Sequence, residues 1–203
     1  MRTLIAIPCG DTCPTDFLRA LLSLEVVGEA QYTFAQGSLV YDARNRLCRI
    51  ALEGDFDRVL WLDSDMIFPS DLMRRFSEHL DAGKEMVCGA YVSRKPPIQP
   101  VLYEDFGLHD AKPWPEPYTT PFKQPLPAEP FQVAGCGFGA VMVTVDLIRK
   151  IRDNFGLPFS PAAGFGEDLS FCLRAREVGA EIWCEPGVEL LHVGVAYYQM
   201  EKQ

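Results

Sequence analysis

The sequence predicts an α/β domain built on a mostly parallel sheet with helices on both faces. Short apolar runs of strand length alternate with amphipathic runs of helical spacing over the first two thirds of the chain. That alternation calls for crossover helices laid over a parallel sheet. The chain has 203 residues, enough for one domain with a sizeable core and too few for two independent catalytic domains.

Residues 3–8 read as a buried strand, and residues 14–29 as a helix whose apolar face is Phe17, Leu21, Leu22 and Leu24. A second strand is expected at 31–35. A second helix follows at 39–53, where Leu39, Ala43, Leu47, Ile50 and Ala51 recur at roughly helical spacing. Residues 58–62 form a third strand, Ser70 caps a helix running to about residue 82, and 86–92 supply a fourth strand. The pattern then breaks. Residues 96–130 hold ten of the sixteen prolines, with Trp114, Tyr118 and Phe122 among them, and a stretch without periodicity reads as a functional loop or lid inserted at about 94–130. A strand resumes at 131–145, interrupted by Gly135-Cys136-Gly137 and Gly139. A helix is expected at 146–154, a Gly/Pro-rich loop next, a helix at 166–178, and short strands at 181–184 and 189–193.

Composition bounds the function. Apolar residues at 48% and charged residues at 23% match a soluble globular chain. The formal charge of −9 argues against a duplex nucleic acid as partner. A single nucleotide is still admissible, because a divalent cation can neutralise a diphosphate held by carboxylates. No apolar stretch approaches the roughly 20 residues of a membrane span, and Leu4-Ile5-Ala6-Ile7 stops at Pro8, so a soluble, cytoplasmic protein is expected. The seven cysteines form no C-x-x-C pair and lie mostly in apolar runs, as free thiols in a reducing compartment do.

Four features can carry chemistry. In Leu60-Trp61-Leu62-Asp63-Ser64-Asp65 an apolar strand ends in two acids two residues apart, which a continuing strand would aim at one point. The carboxyl end of a parallel strand is where ligands sit, and paired carboxylates there suit Mg²⁺ or Mn²⁺ bound to nucleotide phosphates. A solvated loop before a helix would account for them equally. Gly166-Glu167-Asp168 opens a helix; the helix dipole alone favours acids there, and an ionised one facing a cleft can take a proton from a hydroxyl. His192 lies in an apolar strand, as a hydrogen-bonded core residue or as a nitrogen ligand that tilts the metal towards Mn²⁺. Arg44 on the second helix suits a phosphate or a base edge, or simply solvent. Residues 8–15 carry one glycine, and neither a dinucleotide fingerprint nor a phosphate loop is present.

Taken in order, the strand ending at Pro8, Ala43-Arg44-Asn45, Asp63-Ser64-Asp65-Met66, Gly135-Cys136-Gly137, Gly166-Glu167-Asp168 and His192 resemble nucleotide-sugar glycosyltransferases of the GT-A fold, in particular the family-2-like group with its short bacterial or phage members. The resemblance covers most of the chain except 96–130. It implies a single Rossmann-like α/β/α sandwich with a mostly parallel mixed central sheet. It implies a metal-dependent transfer of a sugar, most simply a hexose, from a nucleoside-diphosphate sugar to an acceptor hydroxyl, with inversion. On this likeness Asp63 and Asp65 are the DxD acids, Asp65 the more direct metal ligand and His192 a further one. Pro8, Cys9 and Asp11 border the nucleobase with Arg44 alongside, Gly135 and Gly137 lie under the sugars, and Asp168 of the Glu167-Asp168 pair is the general base. The alternatives are a sugar nucleotidyltransferase, which needs a glycine-rich basic loop that Pro8-Cys9-Gly10-Asp11 lacks, and a catalytically inactive module of the same fold.

Overall fold

The structure, a computed structural model, describes residues 1–37, 39–94, 96–109 and 116–194. The first half of the chain forms β1 (Arg2–Cys9), α1 (Thr15–Ser23), β2 (Glu29–Gln36), α2 (Val40–Glu53), β3 (Arg58–Leu62), β4 (Met66–Ile67), α3 (Leu72–Asp81) and β5 (Met86–Ala90). The second half forms β6 (Leu102–His109), β7 (Glu116–Pro121), β8 (Phe131–Val133), β9 (Gly135–Cys136), β10 (Ala140–Thr144), α4 (Val145–Phe155), α5 (Glu167–Glu177), β11 (Ile182–Glu189) and β12 (Leu191–His192).

Seven strands make the central sheet in the order β2-β1-β3-β10-β5-β11-β8. β1 pairs in parallel with β2 and β3, and β5 in parallel with β11. β10 runs antiparallel between β3 and β5, and β8 antiparallel to β11 at the edge, so five strands share one direction. Apart from Arg58 and Thr144 at their ends, the three middle strands β3, β10 and β5 are apolar because both of their faces are covered. Alternate residues feed two cores. Leu4, Ala6, Val59 and Trp61 join Leu47 of α2, Ile148 of α4 and Phe171 of α5 on one face. Ile5, Ile7, Leu60 and Leu62 join Phe17 of α1 and Phe76 of α3 on the other. This is the GT-A, Rossmann-like α/β/α sandwich. No helix of the described residues is long and apolar enough to cross a membrane, and all seven cysteines are free thiols, five of them buried.

Several elements differ from the sequence reading. The first helix stops at Ser23 instead of reaching residue 29, the chain turning extended at Leu24 (ψ 124°), and Gly28 then takes a left-handed turn (φ 73°) into β2, where a Cβ would meet the Met1 carbonyl at 2.6 Å. Leu22 leaves the expected apolar face and is 87% exposed, whereas Phe17, Leu21 and Leu24 are buried. On α2, Ala43, Leu47 and Ala51 face the core but Leu39 and Ile50 do not. Ser70 does not cap α3. Its hydroxyl donates to Glu25 at 2.9 Å, and α3 starts after Asp71 without a side-chain cap.

The proline-rich stretch is not a structureless loop. β6 and β7 form a hairpin that joins β9 in a three-stranded antiparallel sheet. Pro117 and Pro121 fall on β7, the edge strand, where a missing N–H costs no ladder bond. Trp114 lies outside the described residues. The expected strand at 131–145 is three strands in two sheets, its glycines marking the breaks, and the two expected at 181–193 are β11, irregular between Cys184 and Glu189, and β12.

Leu102 and Phe106 of β6 are buried, with Phe106 edge-on to Phe165 at 5.2 Å. Phe106→Ala is therefore expected to lower global stability by about 3 kcal/mol in denaturant unfolding. A detachable lid would lose no more than about 0.5 kcal/mol.

Candidate functional site

The carboxyl ends of β1 and β3, the first turns of α2 and the start of α5 converge on a cleft of ≈ 270 Å³. Pro8, Cys9 and Gly10 form one wall, Val40, Ala43 and Arg44 another, and Asp63, Ser64, Asp65, Glu167 and Asp168 the rest. β3 ends at Leu62, so Asp63-Ser64-Asp65 is a turn and not the strand continuation the sequence suggested. The two carboxylates consequently point to different partners along the same cleft.

Asp63 turns to Arg44. The Arg44 guanidinium is 1% exposed, in contrast to the solvated helix arginine that its position allows. Its Nη2 lies 2.9 Å from Asp63 Oδ1 and 3.3 Å from Asp168 Oδ1, and its Nε lies 3.8 Å from Glu167 Oε1. It also sits over the Phe138 and Phe159 rings, at 5.1 and 5.5 Å from their centroids. One buried cation thus faces three carboxylates. It leaves Arg44 Nε and Nη1 and Asp168 Oδ1 buried without a hydrogen bond of good geometry.

The charge balance shows in the acids. Burial raises the Asp63 carboxyl above the ordinary carboxylate range, with Arg44 pulling back and Asp65 and Glu167 adding to the rise. The Asp168 carboxyl is pushed up to about 7, first by burial and then by Glu167 and Asp63, against the pull of Arg44 and of the Phe138 N–H. That N–H donates to Asp168 Oδ2 at 3.3 Å. Burial, Asp168 and Asp63 also raise the neighbouring Tyr91 phenol well above its ordinary value, which keeps it neutral.

Asp65 turns the other way. Its Oδ2 is 2.9 Å from Arg94 Nη1 and 3.5 Å from His192 Nε2. His192 arrives because β12 pairs with β4, His192 opposite Met66. Its Nδ1 lies 3.2 Å from the Val92 carbonyl and its ring meets Tyr91 edge-on. Nδ1–H donating to that carbonyl leaves the Nε2 lone pair on the side of Asp65, the tautomer a metal ligand needs. Among the described residues no three His, Cys, Asp or Glu side chains form a metal cage. Asp65 and His192 offer two donors of mixed O/N character.

The remaining candidates separate. Asp11 is exposed and does not line the cleft, which ends at Gly10. Gly137 lines a second cavity of ≈ 180 Å³ with Val101, Tyr103 and Leu169, and Glu167 and Asp168 form the wall between the two. A Cβ at residue 137 would fall 2.0 Å from Tyr91 Oη, so only glycine fits there. Gly135 lines neither cavity; it packs against Leu169 and Phe106. Sequence reasoning missed Tyr91, Arg94 and the Phe138 N–H. The single available signal was the Arg94-Lys95 basic pair before Pro96-Pro97, two residues past the expected strand at 86–92.

No protein-family model matches the chain, and no curated protein sequence matches it. Among solved structures it is similar to A197 from STIV, at 20% identity and a TM-score of 0.69, over 96% of this chain and 87% of that one. It is also similar to GalNAc-T7, a structure containing UDP, GalNAc and Mn²⁺, at 8% identity and a TM-score of 0.61. That match covers 99% of this chain, which spans 44% of the GalNAc-T7 chain. At these identities the likeness is one of fold.

The raised Asp168 carboxyl has a thermodynamic consequence. Its unfolded value is near 3.8 and its folded value about 7, so between those values the folded state binds the extra proton. The stabilisation is full below about pH 4 and is lost as pH rises through 7. Melting curves are therefore expected to show a fall in Tm between pH 5 and 8 that flattens in Asp168→Asn. Arg44→Met is expected to cost about 3–5 kcal/mol at pH 8 and less at pH 5, where Asp168 gains a proton.

Proposed function

We propose that the protein is a glycosyltransferase that moves a sugar from a nucleoside-diphosphate sugar to an acceptor hydroxyl. The observation that carries this reading is one cleft lined both by Asp65, whose Oδ2 lies 3.5 Å from His192 Nε2 behind it, and by a carboxyl poised near neutral pH, Asp168. The UDP, GalNAc and Mn²⁺ in the GalNAc-T7 structure support the same ligand classes for a chain of this fold.

Pro8, Cys9 and Gly10 line the cleft and border the nucleobase. Asp65 and His192 hold a divalent cation, Mn²⁺ by the mixed donor set, with Asp63 close by. When bound, that cation supplies charge neutralisation for a departing diphosphate. The smaller cavity beside Gly137 and Tyr103 receives the acceptor, since Asp168 reaches it from the shared wall.

Asp168 then takes the hydroxyl proton as the acceptor oxygen bonds to the anomeric carbon. The bond from that carbon to the phosphate oxygen breaks, and its electron pair leaves with the diphosphate. Attack from the face opposite the leaving group inverts the centre. Phe138 N–H holds Oδ2 in place, and Arg44 prevents the acid cluster from raising Asp168 so far that it would stay protonated at neutral pH. The hairpin of β6 and β7, beside the acceptor cavity through Tyr103, covers that side from water.

Thermal-shift measurements with UDP, GDP, CDP and dTDP, each with and without Mn²⁺, test this reading. One nucleotide is expected to raise Tm only with Mn²⁺, by the equivalent of about 2.7 kcal/mol at 100 times its Kd, and Asp65→Asn is expected to abolish the shift. Asp168→Asn is expected to keep the shift while lowering transfer about 10²–10⁴-fold, and wild-type kcat/KM is expected to rise with pH through about 7. If no nucleotide shifts the melt, the chain is a non-catalytic module of this fold.

A further inference from the structure

Asp65 Oδ2 is shared. Arg94 Nη1 stands 2.9 Å from it, on the same oxygen that His192 Nε2 faces at 3.5 Å. The same Nη1 donates to the Val193 carbonyl at 3.0 Å, and the Val193 N–H donates to the Asp65 carbonyl at 2.8 Å. The guanidinium therefore closes a ring between the DxD turn and the end of β12. It does so from outside the core, just past the Val92–Pro100 bridge that follows β5.

The two arginines of the site differ in what they are free to do. Arg44 is enclosed by rings and by three carboxylates and has no room to exchange partners. Arg94 is 47% exposed and has one carboxylate partner. A cation held by Asp65 and His192 needs the oxygen that Arg94 covers, so the two compete. A guanidinium released from a carboxylate finds an equivalent partner in a phosphate, whose paired oxygens match its fork of N–H donors.

We infer that Arg94 is the resident counter-cation of Asp65, which a divalent cation displaces and which then pairs with the diphosphate of the bound nucleotide. This rests on the reading of Asp65 and His192 as metal ligands. With no diphosphate present, Arg94 opposes the metal. With diphosphate present, it stops opposing the metal and adds an attraction of its own. Metal and diphosphate therefore strengthen each other's binding by the same factor.

Titration of the full chain with Mn²⁺ alone, following the electron paramagnetic resonance signal of free Mn²⁺, tests the first half. Arg94→Ala is expected to tighten Mn²⁺ about two- to fivefold, the range of an exposed ion pair, with Arg94→Lys in between. Titration with pyrophosphate at saturating Mn²⁺ tests the second half, and Arg94→Ala is expected to bind it several-fold more weakly. If Arg94→Ala leaves both constants unchanged, or weakens Mn²⁺ alone, the inference is overturned and the metal site stands. If Mn²⁺ binds neither the wild type nor Arg94→Ala, or binds Asp65→Asn as tightly as wild type, the inference and the metal reading fall together.

Discussion

A guanidinium buried among aromatic rings needs carboxylates close by, and the architecture of the cleft follows from meeting that need at Arg44. Taking one charge out of water costs several kcal/mol. The cost is offset only because α2, the end of β3 and the first turn of α5 meet at one point, bringing Asp63, Glu167 and Asp168 within 3.8 Å of the same side chain. The start of α5 is where unpaired helix N–H groups favour negative charge. The neighbouring α2 and β3 are therefore tied to α5, far along the chain, through one residue. The acids are left with more negative charge than one cation balances, which is why burial can push Asp168 to about 7.

The reversed strand in the middle of the sheet completes the arrangement. The chain leaves β8 at the sheet edge, touches the hairpin through β9 and enters the centre as β10. The link between β9 and β10 crosses the top of the sheet, and Phe138 on that link serves twice. Its N–H fixes Asp168 Oδ2, and its ring packs on Phe159, Phe171 and Trp61 beneath Arg44. Gly137 and Gly139 beside it allow close approach to Tyr91 and Met66. The packing of the core and the placing of the acid are thus one structural event, and a change at Phe138 alters both.

Much of this was legible in the sequence, and the limits have physical causes. β3 and the acids behind it stood out because a fully buried strand is continuously apolar until it meets the ligand side of the sheet. The start of α5 stood out through its glycine and paired acids. Arg44 stood out as a candidate for a phosphate or base edge, but not as the buried partner of three acids, because a buried cation and a solvated one look alike until long-range partners are known. The β6–β7 hairpin was hidden by proline, which sits on its edge strand where proline is tolerated. The splitting of 131–145 among two sheets was hidden because apolar periodicity marks strands but not their neighbours. The Asp65–Arg94 contact joins segments whose local sequence carries no sign of each other.

The same residues constrain what the cleft can accept. Asp63, Asp65, Glu167 and Asp168 face Arg44 and Arg94, so four carboxylates stand against two guanidiniums. With all of them ionised, two negative charges are left over in a site with a desolvated wall, where such charges are weakly screened. A diphosphate entering alone meets repulsion. A divalent cation entering alone is attracted, but must first displace the guanidinium from Asp65. On the proposed reading, only the two together satisfy the acids, Asp65 with His192, and a freed Arg94 at once. On this reading, dependence on a metal is imposed by the electrostatics of the chain's own residues, because without added positive charge a cleft this acidic has no favourable way to hold an anionic donor.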